Sequence, residues 1–230
     1  MKVSLLLLKT KFANCPVFSK IYDRLMAMTH FFLLKNSVAI PRLLYALRTC
    51  RCYSHPLLVK YDQILRLGLE LIVNTSIDDA GWSQATLPVS YGGLGIRRAV
   101  DLAMPSFFSS AFCVRQAVSQ LVQCHSFDDV FLGTLHDAVL MPETTTSQRA
   151  WDALQCERQR NELLRLAPEG SVQKRRLLAA AAPQSGVWLN ALPSSTLGLK
   201  LDNDQLSRGC IKNRRPHKPA ASMPLLSSAC

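Results

Sequence analysis

The chain has 230 residues, 27 Lys/Arg against 16 Asp/Glu for a formal net charge of +11, and a hydrophobic content of 48%. That length and apolar content provide a real core, in one large domain or two small ones, and exclude a wholly disordered chain. The charge is uneven: residues 1–60 hold ten Lys/Arg and one acid, Asp23, residues 61–150 are net acidic, and residues 208–230 carry five basic residues and no acid. Such a distribution points to a polyanion-facing surface, with nucleic acid the commonest polyanion.

The opening "MKVSLLLLKTKF" resembles a signal peptide, but its apolar run ends at Leu8 and Lys9 and Lys11 close it without a small-residue cleavage site. Residues 1–20 are therefore read as a leader to a helical domain, and the protein as intracellular, in nucleus or cytoplasm, rather than secreted. Eight scattered cysteines without a CxxC pair fit free thiols in a reducing compartment.

From Ile21 to Lys35 the apolar residues Leu25, Met28, Phe31, Phe32 and Leu34 recur with helical period. A break is expected at Asn36-Ser37, and Pro41 suits the first turn of a second helix. A third helix runs from Leu57 to about Ile72, with Leu57, Leu58, Tyr61, Ile64/Leu65 and Ile72 as its apolar face. Asn74-Thr75-Ser76 ends it, and Asp78 to Gly81 reads as a turn.

The Gly-rich loop "YGGLGIRR" follows, then a helix from about Arg97 to Val122 that Pro105 should kink or split in two. Residues 126–140 read as another helix and "PETTTSQ" as a linker. Ser147 to Leu166 reads as strongly amphipathic, and Gly170 to Ala182 as a further helix. The turn-rich "SGVWLNALPSSTLGLKL" is expected to pack Trp188 and Leu192 back on it. From residue 207 the acid-free, Pro-rich chain reads as a disordered basic tail. "FFLLKNSVAIPRLLYAL" is interrupted by Lys35, Pro41 and Arg42, so no membrane span is expected. The fold class is thus mainly α, a helical bundle with one Gly-rich loop.

No constellation for catalysis emerges. The pairs Asp78-Asp79 and Asp128-Asp129 lack a third ligand, and Cys113, Cys124, His125 and His136 have irregular spacing. Neither a GxSxG elbow nor a phosphate-binding Gly motif occurs, so no catalytic residue, metal or cofactor is assigned. Two features remain open. Gly92, Gly93 and Gly95 permit positive φ and close backbone approach, and put Arg97 and Arg98 at a helix N-terminus. That is either a phosphate contact or a tight turn with solvated arginines. Lys35, Arg42 and Arg48 lie among Phe31, Phe32 and Tyr45, which is either a nucleic-acid surface or an aromatic core with charges outside.

"FFLLKNSVAIPRLLYALRTC" (31–50), "LLVKYDQILR" (57–66), "WSQATLPVSYGGLGIRRAVDLAMPSFFSS" (82–110) and "SGVWLNALPSSTLGLKLDNDQL" (185–206) resemble, in that order, the region downstream of the palm in LINE-like (non-LTR) retrotransposon reverse transcriptases. The Trp-x-Gln-Ala-x-Leu-Pro-Val and Gly-Gly-Leu-Gly-Ile-Arg block from Trp82 is distinctive, and the resemblance spans Tyr22 to Leu206. It implies a helical thumb over residues 21–140 and a connector over 141–206, gripping template–primer duplex by its backbone through Lys35, Arg42, Arg48, Arg97 and Arg98. Polymerisation in that family needs an aromatic-x-Asp-Asp motif, whereas Ser76 and Ser126 stand two residues before the Asp pairs here. The family's fingers and palm find no counterpart, and Cys210 and Cys230 do not reproduce its Cys/His knuckle. The chain is accordingly expected to be a thumb–connector fragment without polymerase activity, with residues 207–230 as a frameshift product. A host protein-interaction module derived from a retroelement, or a remnant without function, are the alternatives.

Overall fold

A computed structural model describes residues 27–122 and 147–210, apart from positions 195 and 200. The leader, the helix expected at 126–140, the linker before Ser147 and the tail from Ile211 lie outside the described residues. Within them the protein is mainly helical, with the Gly-rich loop near its middle.

Helix α1 (Ala27–Leu33) does not break at Asn36-Ser37. It passes into one wider turn, Leu34–Val38, closed by Ala39 N–H to Leu34 O at 2.9 Å. The chain redirects only at Ala39, where ψ is −124°, and α2 (Ile40–Thr49) starts with Pro41 in its first turn as expected. Tyr61 secures this corner by donating its hydroxyl to Ala39 O at 2.7 Å.

Helix α3 (Pro56–Val73) begins where the ring nitrogen of His55 accepts the Leu57 N–H at 3.2 Å. It ends where Asn74 turns left-handed, φ 50°, as the Asn-Thr-Ser stretch predicts. Asp78 is more than turn material: its carboxylate accepts the Gly81 N–H at 2.8 Å and caps the short helix α4 (Asp79–Ala85).

Helix α5 (Ala99–Val122) continues across Pro105, so of the expected kink or split the split does not occur. Proline removes one N–H and crowds the preceding turn. Here Pro105 and its neighbour Ser106 are buried, and α2 and α6 both pack along this helix, so tertiary contact holds the segment helical.

Helix α6 (Gln148–Leu166) buries Trp151, Cys156 and Leu163. Its expected strong amphipathicity is a correction, because the half-buried Asp152 and Gln159 share its inward side and make hydrogen bonds there. Helix α7 (Val172–Ala180) follows with Ser171 as its N-cap, and a single 3-10 turn spans Val187–Asn190. Trp188 packs on the core as expected, whereas Leu192 is exposed.

Helix α8 (Asn203–Cys210) crosses the expected start of the tail. Leu206 is fully buried, the Ser207 hydroxyl donates to Val73 O at 2.7 Å, and Gly209 lies under the Trp188 ring. Residues 207–210 therefore belong to the folded helical body.

One core joins α1, α2, α3, α5 and α8 through Phe31, Leu47, Leu69, Leu102 and Leu206. A second gathers Leu87, Cys156, Leu163 and Leu177. An aromatic cluster closes α5 on α6: Phe108 lies 6.2 Å and Phe112 5.4 Å, centroid to centroid, from Trp151. Each such buried side chain contributes about 1.5–3 kcal/mol through removal from water.

Candidate nucleic-acid interface

The Gly-rich loop folds on itself before it offers anything to a ligand. Gly92 and Gly95 take φ of 84° and 78°, a region where side chains are strained. Gly93 is demanded by space: a Cβ there would lie 2.0 Å from Leu87 O. The loop's N–H groups are spent internally, Gly93 on Pro88 O, Leu94 on Ala85 O and Gly95 on Leu87 O at 2.9–3.1 Å. The Gln84 side chain donates to Gly92 O at 3.1 Å.

The helix N-terminus that follows is already occupied. Asp62 reaches from α3 and accepts the N–H of Ala99 at 2.7 Å and of Val100 at 3.2 Å. A carboxylate at that position satisfies two of the free N–H groups and the positive end of the helix dipole. The anion expected at this site is thus one of the chain's own. Burial pushes the Asp62 carboxyl up to about 6, against the opposing pull of the two N–H groups and of Arg98. Asp101 is raised for the same reason.

Of the loop's two arginines Arg97 turns inward, and Arg98 stays partly exposed. Arg97 donates to Thr86 O at 2.5 Å and pairs with Asp152 of α6, and both side chains are mostly buried. Beside this pair, Gln159 donates to Ser83 O at 2.8 Å and to Thr86 Oγ1 at 3.0 Å, so two side chains of α6 hold the segment that leads into the loop. Arg98 stands 3.8 Å from Asp62 and 3.7 Å from Asp101, distances of charge attraction rather than hydrogen bonding. Arg97 is thus engaged by Thr86 and Asp152 and joins the loop to α6, while Arg98, about a third exposed, stands between Asp62 and Asp101.

Lys35 also faces the protein. Its ammonium donates to Asn190 Oδ1 at 2.7 Å and Leu189 O at 3.3 Å, and burial lowers its pKa. It joins the turn after α1 to the 3-10 turn near the far end of the chain, and its stem lies 2.9 Å from where a Cβ on Gly95 would sit.

Arg42 and Arg48 remain outside. Both are exposed on α2, and between them Tyr45 is 79% exposed. Phe31, by contrast, is core and Phe32 half-buried, so the basic-aromatic segment divides: its phenylalanines pack and its tyrosine faces solvent. Arg48 donates twice to Gln148 Oε1, at 3.2 and 2.9 Å, and so rests against the start of α6. From Arg24 to Tyr61 the sequence contains no acid, so no carboxylate of α2 or its flanks neutralises this face.

Sequence reasoning missed Asp62, Asp152, Gln159 and Asn190. Only Asp62 carried a signal, as a lone acid set among Leu58, Tyr61, Leu65 and Leu69 on an otherwise apolar face. Among the described residues no group of three or more His, Cys, Asp or Glu gathers to hold a metal ion, and no helix is long and apolar enough to cross a membrane. Compared with protein-family models, curated proteins and solved structures, the chain matches none.

Proposed function

We propose that this chain is a thumb-and-connector part of a LINE-like retroelement reverse transcriptase, that it holds nucleic acid by the sugar–phosphate backbone, and that it performs no polymerase chemistry itself. The family reading rests on the ordered sequence blocks from Phe31 to Leu206, and the binding reading rests on one observation, the exposed and acid-free Arg42–Tyr45–Arg48 face of α2. Exposed cations attract phosphates and release their counterions, a contact that carries no sequence information. The binding residues are thereby narrowed to Arg42 and Arg48, while Lys35, Arg97 and Arg98 act as internal fasteners.

Anisotropy of a labelled 20-bp duplex, titrated with the full chain at rising salt, tests the reading. Affinity is expected to fall steeply between 50 and 200 mM salt, equally for unrelated sequences, and Arg42→Ala is expected to lower the salt slope by about 1. Absence of binding by the folded chain overturns it.

A second reading, a host protein-contact module derived from such an element, is favoured by Ile64, Leu67 and Leu71. These lie three to four residues apart on α3 and are all exposed, an apolar stripe of the kind that a partner covers. The same titration separates the two: a stable fold without salt-dependent nucleic-acid binding belongs to the second.

A further inference from the structure

We propose that the outer face of α2 takes single-stranded rather than duplex nucleic acid, with an unpaired base stacked on Tyr45 and neighbouring phosphates held by Arg42 and Arg48. This deepens the binding reading above and rests on it.

Tyr45 is the most exposed large hydrophobic side chain among the described residues, at 79%. It is three residues from each arginine. A helix advances 1.5 Å and turns 100° per residue, so the arginines stand about 9 Å apart along the axis with the ring midway, all within an arc of about 120°. Duplex bases present only their edges in the grooves, whereas a ring that projects from a helix surface gains most from a base's open face. A duplex would use the two guanidinium groups and leave the ring idle. An unpaired strand uses all three, since its bases are free to turn toward the protein while its phosphates follow the cations.

The surroundings extend the same surface. Arg48 is anchored by Gln148, and next to Gln148 stands Arg149, which with Arg48, Ser109 and Cys113 lines a shallow hollow of about 540 Å³ between α2, α5 and α6. Asp152 also lines it, but its carboxylate is committed to Arg97. A strand that leaves Tyr45 past Arg48 meets a second guanidinium there. Further along the chain in the same direction, Arg51 lies 5.6 Å from the centre of the Tyr53 ring, so another basic group follows the C-terminal end of α2.

The test compares a labelled 20-residue oligothymidine with a 20-bp duplex on the full chain at 100 mM salt, using Tyr45→Ala, Tyr45→Phe and Arg42→Ala. Oligothymidine is expected to bind at least about tenfold tighter than duplex. Tyr45→Ala should lose about tenfold on oligothymidine and nothing on duplex, Tyr45→Phe should keep the affinity, and Arg42→Ala should weaken both. Because the ring is exposed, all three variants should melt with the parent. Equal affinity for the two probes, or an equal effect of Tyr45→Ala on both, overturns this inference while leaving backbone binding in place. Failure to bind either probe overturns both.

Discussion

Asp62 on α3 accepts the backbone N–H of Ala99 at 2.7 Å, and so a carboxylate from one helix caps the start of another thirty-seven residues later. This bond turns the Gly-rich loop from an anion site into a joint. It brings α3 and α5 to a fixed distance, and Arg97 then adds α6 through Asp152.

The burial of Asp62 gives stability a pH dependence. Asp62 is held near 6 in the fold, against about 3.9 for an unfolded chain. Between those values the native state binds more protons than the unfolded one, so this group's contribution to stability rises as pH falls from 7 toward 4, by at most about 3 kcal/mol. Asp101, also raised, acts in the same direction. Urea unfolding at pH 7 and pH 4.5 should show Asp62→Asn missing that gain relative to the parent. Identical pH slopes for the two proteins would mean that Asp62 titrates normally.

The loop glycines should differ sharply in tolerance. Gly93→Ala drives a Cβ to 2.0 Å from Leu87 O, which no side-chain movement relieves, and should cost more than about 3 kcal/mol or abolish folding. Gly170→Ala meets nothing within 4 Å but retains φ of 69°, so a loss of about 1 kcal/mol is expected. Thermal unfolding of the pair checks the contrast.

Arginines predicted alike should separate by assay. Arg97→Ala strips Thr86 O and the mostly buried Asp152 of their shared partner, a change that should destabilise by about 3 kcal/mol. Arg42→Ala should leave the melting temperature alone and weaken nucleic-acid binding. A stable Arg97→Ala protein with a selective binding defect would return that residue to the interface.

The end of α8 should behave as part of the folded body. Ser207→Ala removes the bond to Val73 O and should cost about 1 kcal/mol. Gly209→Val presses a side chain on the Trp188 ring, already 3.0 Å from where a Cβ would stand, and should destabilise by about 1–3 kcal/mol. It should also shift Trp188 fluorescence. If neither substitution moves the melting temperature, residues 207–210 lie loose on the surface.

The sequence by itself determined where helices α1, α2, α3 and α6 run, but not the short α4 and α8. Apolar residues at three- and four-residue spacing must share a face, Pro41 suits only a first turn, and Asn74 stops α3 because it tolerates the left-handed conformation. It also showed that the glycines at 92, 93 and 95 permit a tight turn. It did not determine what the glycines were for, nor which cations were free. A charge in a sequence has no direction, and whether Arg97 faces a phosphate or Asp152 depends on a residue fifty-five positions away. Helix continuity across Pro105 likewise depends on what packs alongside. Only the tertiary structure decided these points, because a charge taken out of water must find its counter-charge, as Arg97 finds Asp152, while Arg42 and Tyr45 stay in water.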